Sequence, residues 1–237
     1  MAGGDVRRTS LAGEAGAYAE AMLAAVLVAL FFRTWVVEAF HIPTGSMEPG
    51  LLPGDHIVVD KFLYGDSAGP WARLLPRREP ARGDVIVFRS PGEPARDLVK
   101  RFVGLPGDVV EISAKRLSVD GAPLDEAYAV HRDPDVLPRS SDVPKALVTR
   151  DDFGPVRLGP GEYLALGDNR DDSQDSRVFG AVPRSHLKGR AVLVYWSFDA
   201  TAAGEVRGRG AGLRRFLDNA LHFFERTRWA RTGRPVR

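Results

Sequence analysis

Two apolar patterns divide the chain. From Ala17 to Ala39 the sequence AYAEAMLAAVLVALFFRTWVVEA is almost continuously apolar, with an unbroken run from Ala21 to Phe32. A bilayer crossing needs about 20 such residues. Glu20, Arg33 and Glu38 lie toward the ends, where long side chains snorkel, and Tyr18 and Trp35 sit at interfacial positions. The pattern predicts one membrane-spanning helix over 17–39. A cleavable secretory signal is the rival reading, but no small-x-small site follows promptly before Arg33-Thr34-Trp35. Arg7 and Arg8 tilt the leading segment, 1–16, toward the cytoplasm, so that everything after residue 40 faces outward.

Beyond residue 40 the period changes. HIVVDKFL, GDVIVFRS, DLVKRFVG, DVVEISAKRLSVDG, EYLALGD and RAVLVYWSF are short, valine-rich and bounded by Gly, Pro or Asp. That punctuation predicts a mainly β protein built on an antiparallel sheet. Residues 40–110 and 161–200 read as its core, and the charged, proline-bearing stretch 111–160 as a small inserted β lobe. The loop LYGDSAGPWARLLPRREP, 63–80, carries Trp71, Leu74 and Leu75, which either dip into a bilayer or pack inward.

Composition narrows the chemistry. At 237 residues and 44% hydrophobic, the chain has material for a sizeable core. The absence of cysteine excludes disulfides, thiolate metal sites and a cysteine nucleophile. The net charge of +2 hides a basic tail: from Arg207 onward nine arginines face only Asp218 and Glu225. Within the tail, 201–237, Leu213, Phe216, Leu217, Ala220, Leu221 and Phe224 recur at helical spacing, with Trp229 beyond. Two readings stand, an amphipathic helix on anionic lipid and a helix packed on its own domain.

Three islands then carry candidate chemistry. In HIPTGSMEPGLLPGD, residues 41–55, alternating prolines and glycines specify a stiff turn around Ser46, a candidate nucleophile. A serine needs a base. Five histidines are available (His41, His56, His131, His186 and His222), but none lies in a recognisable triad setting. In DLVKRFVG, strand alternation puts Lys100 and Arg101 on opposite faces. Only the lysine can become neutral near pH 7 in an apolar setting. The third island, GDNRDDSQDSRVFGAVP (167–183), lacks the terminal Glu of a calcium loop and has Arg170 at a ligand position. It reads better as an Asp–Arg network of Asp168, Arg170, Asp175 and Arg177, with Ser173 near a catalytic group.

In this order, PTGSMEPGLLPGD, RGDVIVFRSP, DLVKRFVGLPGD and LGDNRDDSQDSRVFGAVP resemble the bacterial type I signal peptidases over roughly residues 18–200. The resemblance implies a membrane-anchored serine endopeptidase of the inner membrane, its catalytic β domain outside the cytoplasm. It would cut signal peptides from exported preproteins after Ala-x-Ala-type sites. It implies Ser46 as nucleophile, Lys100 as general base, and an oxyanion hole from the Ser46 N–H and the Thr44 hydroxyl. Ser173 would orient Lys100, with the Asp–Arg network in support. Phe40, Ile42, Leu51, Ile57, Val87, Leu98 and Val99 align with apolar substrate pockets. No cofactor, metal or nucleic acid is expected; the partners are signal peptides and membrane lipid, and a monomer suffices. Thr44 is usually Ser in the family and Gly50 usually Thr. Two rivals remain at this point: a self-cleaving protease of the SOS-repressor type, which needs no anchor, and a tethered β domain that only binds peptides.

Overall fold

The structure is a computed structural model that describes residues 11–31, 33, 36–61, 78–137, 149–199 and 217–237. The expected loop at 63–80 lies almost wholly outside them, as do Trp35, Leu213 and Phe216. Helix α1 spans Leu11–Phe31. Over residues 16–31 its apolar side chains are exposed on every side, Met22, Leu23, Leu27 and Phe31 among them. Among the described residues, no helix is long and apolar enough to cross a membrane. The expected span of 17–39 is also too long at its carboxyl end, because β-branched Val36 and Val37 lead into strand β1, Val37–His41.

The valine-rich segments form strands because their residues suit a pleated, half-buried surface. The first sheet contains β1, β2 (Asp55–Asp60), β3 (Val85–Arg89), β4 (Asp97–Gly104), β9 (Glu162–Leu166), β10 (Val182–Pro183), β11 (Leu187–Ser197) and β12 (Arg234–Pro235). Its order is β1-β2-β11-β3-β4-β9-β10, with β12 also on β11, and neighbours are antiparallel. Register shifts at Leu187/Gly189, Ala191/Leu193 and Val194/Trp196 interrupt the long β11. Such irregularities increase local twist, so one strand serves several partners as the sheet coils.

The second sheet has the order β7-β6-β5-β8, from β5 (Val109–Ser113), β6 (Arg116–Val119), β7 (Ala122–Pro123) and β8 (Phe153–Arg157). Ala114 and Lys115, both at positive φ, make the two-residue turn between β5 and β6. Among the described residues, three apolar clusters fill the interior. One joins Ile42, Met47, Leu51, Ile57, Val59, Val85 and Val87 beneath the β1–β2 end, a second gathers around Phe88, Phe102 and Tyr163, and the third lies between the sheets around Val103, Val110 and Leu164. Burying one such side chain fully contributes about 1.5–3 kcal/mol.

The basic tail divides. A short helix, α3 (Phe223–Arg226), is followed by chain that returns to the sheet as β12. From there on the tail packs on its own domain, while Leu217, Leu221 and Phe224 ahead of it are exposed.

Candidate active site

The Ser46 turn follows from its punctuation. Gly45–Met47 form one 3-10 turn, with Glu48 N donating to Gly45 O at 3.1 Å and Leu51 N to Met47 O at 2.9 Å. Met47 and Leu51 are almost fully buried and pin the turn to the core. Thr44 precedes it in extended conformation, and its hydroxyl makes no capping bond. The Thr44 hydroxyl is therefore not committed to the turn.

Strand β4 brings up Lys100, which is 3% exposed. Its Nζ lies 2.6 Å from Ser46 Oγ. Burial depresses the amine to about 8 from the ordinary 10.5; Asp175 opposes this, and Arg177 and Arg96 add to it. The histidines have other neighbours: His186 Nδ1 meets Arg89 O, His222 Nδ1 meets Asp218 O, His131 approaches Asp171, and His41 and His56 face each other at 4.9 Å.

The polar island is an ordered network of buried charges. Arg101 grips Asp168 through two hydrogen bonds of 2.8 and 2.7 Å and donates to Gly83 O at 2.7 Å. Arg177 grips Asp175 in the same bidentate manner, at 2.8 and 2.7 Å, and reaches Arg170 O at 2.7 Å. Burial raises the Asp175 carboxyl, but Arg177 and the Gly167 N–H outweigh it and hold the group below the usual carboxylate range. Asp175 also caps the helix Ser176–Phe179, α2, by accepting from Arg177 N. Asn169 ties the island to the nucleophile turn: its N–H donates to Ser46 O at 3.1 Å and its Nδ2 to Gly45 O at 3.2 Å. Ser173 Oγ is buried beside Asp175 and makes no hydrogen bond of full geometry among the described residues, to Lys100 or otherwise.

A segment that the sequence reading missed completes the support. Glu126 receives both terminal nitrogens of Arg170, and the ring of Tyr128 lies under the Arg101 guanidinium at 4.1 Å. Val130 exchanges backbone hydrogen bonds with Asp168 and Arg170, and Arg132 pairs with Glu48. No local pattern in the sequence signals this role for Glu126 or Tyr128. The second sheet contributes Lys115, whose Nζ donates to Asp133 O at 2.6 Å and Asp171 at 3.2 Å.

A cleft of about 510 Å³ opens over the Ser46–Lys100 pair. Phe40, Ile42, Leu98 and Val99 line it, with Thr44, and Asp172 and Gln174 on the polar wall. Leu51, Ile57 and Val87, expected as pocket residues, lie beneath it in the core, Ile57 and Val87 because β2 and β3 turn them inward and Leu51 on the chain that follows the serine turn. Sequence position alone does not distinguish a pocket wall from the layer that supports it.

The description "Signal peptidase, peptidase S26" matches residues 15–196. The probable signal peptidase I-2 of Synechocystis is 37% identical over 181 residues, covering 74% of this chain and 70% of that protein. The signal peptidase I of Pseudomonas aeruginosa is 35% identical over 206 residues, covering 76% and 72%. A crystal structure of a signal peptidase I from Enterococcus faecalis aligns with 31% identity and a TM-score of 0.37, covering 48% of this chain and 97% of that one. With a match across more than half its length and relatives of this identity, the chain belongs to the signal peptidase family, peptidase S26.

Proposed function

We propose that the protein is a signal peptidase I that releases signal peptides from exported preproteins through a Ser46–Lys100 dyad. The observation that carries this reading is the 2.6 Å approach of Lys100 Nζ to Ser46 Oγ at the floor of the cleft. With the amine at about 8, roughly a tenth of Lys100 is neutral at pH 7. The neutral amine takes the Ser46 proton as the oxygen attacks the scissile carbonyl, and the Ser46 N–H and Thr44 hydroxyl stabilise the oxyanion. The ammonium returns its proton to the leaving amine. Lys100 then activates the water that hydrolyses the acyl-enzyme. The Asp168–Arg101 and Asp175–Arg177 pairs support the site by fixing the loop that holds the nucleophile turn through Asn169.

An extended peptide adds beside β1 and β4, with its small residues toward Phe40, Ile42, Leu98 and Val99; this supports cleavage after Ala-x-Ala-type sites. The apolar run Ala21–Phe31 of α1, exposed all round, supports membrane attachment, and Arg7 and Arg8 ahead of it support a β domain outside the cytoplasm. The test is intact-mass analysis of a preprotein with an Ala-x-Ala site, incubated in detergent with wild type and with Ser46→Ala. Cleavage directly after the site by wild type alone is expected. Equal cleavage by both would refute Ser46 as nucleophile.

A further inference from the structure

The limb that leaves the nucleophile turn, Glu48–Asp55, is tied at its ends by Leu51 N to Met47 O, Gly54 N to Ile42 O and Phe198 N to Gly54 O. It is also held from the other end of the chain, at Gly50, Pro53 and Asp55. Arg231 Nη2 donates to Gly50 O at 2.9 Å, and Arg228 Nη1 donates to Pro53 O at 2.9 Å. Asp55, fully buried, receives Arg231 Nε at 3.1 Å and Nη2 at 2.5 Å, Ser197 Oγ at 2.6 Å, and Leu52 N at 2.9 Å. At Gly54, where φ is +90°, a Cβ would fall 2.0 Å from Phe198 O, so the limb lies directly against the end of β11. The tail is itself fastened to the same strand: Gly233 N donates to Val194 O and Val236 N to Val192 O, and Val236 packs on the cluster containing Met47 and Leu51.

From this geometry we propose that Phe223–Val236 is a strap that sets the height of the Ser46 turn against Lys100, with Arg231 as its positioning residue. The proposal rests on Ser46 being the nucleophile. The strap lies beyond residue 196, where the family match ends. A guanidinium suits this task because its planar fork fixes Asp55 and the Gly50 carbonyl in one geometry. A buried ion pair adds little net stability against an apolar replacement, whereas an ångström of misplacement at a reacting pair costs up to about a hundredfold in rate. The path from fork to nucleophile is short: Gly50 neighbours Leu51, whose N–H holds Met47 O, next to Ser46.

The experiment compares full-length wild type, Arg231→Ala, Arg231→Lys and Ser46→Ala in detergent, with kcat and KM measured on a preprotein at a temperature where circular dichroism shows each folded. Amide hydrogen exchange over residues 45–52 is recorded in parallel. For Arg231→Ala, kcat falls roughly ten- to hundredfold, KM stays within about twofold because the cleft walls are untouched, and exchange over 45–52 accelerates. Arg231→Lys keeps the charge but not the fork, and recovers only part of kcat. Wild-type kcat per folded molecule with unchanged exchange overturns the strap. Should Arg231→Ala not fold, Arg231→Lys decides by the same two measurements. Cleavage by Ser46→Ala would overturn the nucleophile assignment instead.

Discussion

Lys100→Met exchanges a buried amine for an apolar side chain of similar reach, and it separates what the site does from what it costs. In the folded protein the amine is held at about 8, against about 10.4 in an unfolded chain. Below pH 8 both states carry the proton, and the folded state bears the full penalty of burying it. Between pH 8 and 10.5 the unfolded chain binds more protons, so wild-type stability climbs with pH; above that window both are neutral and the penalty is gone. At about 1.36 kcal/mol per pH unit, the penalty at pH 7 is roughly 3 kcal/mol. The substitution also removes the hydrogen bond to Ser46, worth about 1 kcal/mol. Lys100→Met is therefore expected to lose cleavage and to be more stable than wild type by about 2 kcal/mol at pH 7, with the advantage gone by pH 10.5. Urea unfolding of both proteins at the two pH values measures this directly. A variant no more stable at pH 7, or equally favoured at both pH values, would refute the buried, depressed amine.

In the proposed dyad the same amine sets the pH dependence of the reaction. Below pH 8, kcat/KM should fall about tenfold per pH unit as Lys100 is protonated in the free enzyme; an acid limb centred near 6 would point to a histidine base instead. Gly167→Ala tests the seam between the polar island and the nucleophile turn, because a Cβ there would lie 2.5 Å from Ser46 O and 2.2 Å from Ser173 Oγ. One of these must move, and a loss of kcat of about tenfold or more is expected, while Gly92→Ala, which meets nothing within 4 Å, leaves cleavage unchanged.

Much of the fold was legible because period 2 and β-branched residues coincide with burial on the pleated sheet. DLVKRFVG became β4 over Asp97–Gly104, and DVVEISAKRLSVDG became the β5–β6 hairpin. The missed strands lack that signature. β8, FGPVR, contains Gly and Pro, and β12 is two residues long, so pairing partners rather than propensity define them. The Ser46–Lys100 approach was suggested by a stiff turn and a lysine among apolar neighbours. Glu126, Tyr128 and Arg231 were not suggested at all. Their contacts with Arg170, Arg101 and Asp55 span 44, 27 and 176 positions, and no local pattern encodes such distances. The tail carries two patterns for a related reason: Leu221, Phe224 and Trp229 are exposed, while Arg228 and Arg231 bind carboxylates and carbonyls of the domain far away in sequence.

The strand order has a consequence for biosynthesis. β11, residues 187–197, is wedged between β2 and β3, which are near neighbours in sequence. The serine turn is joined to β2 and the lysine strand to β3, so the two halves of the pair lie on opposite sides of a strand made more than eighty residues after Lys100. A chain still emerging from the ribosome holds both residues yet has no frame to bring them together. The proposed dyad is therefore framed only once β11 has joined the sheet between β2 and β3.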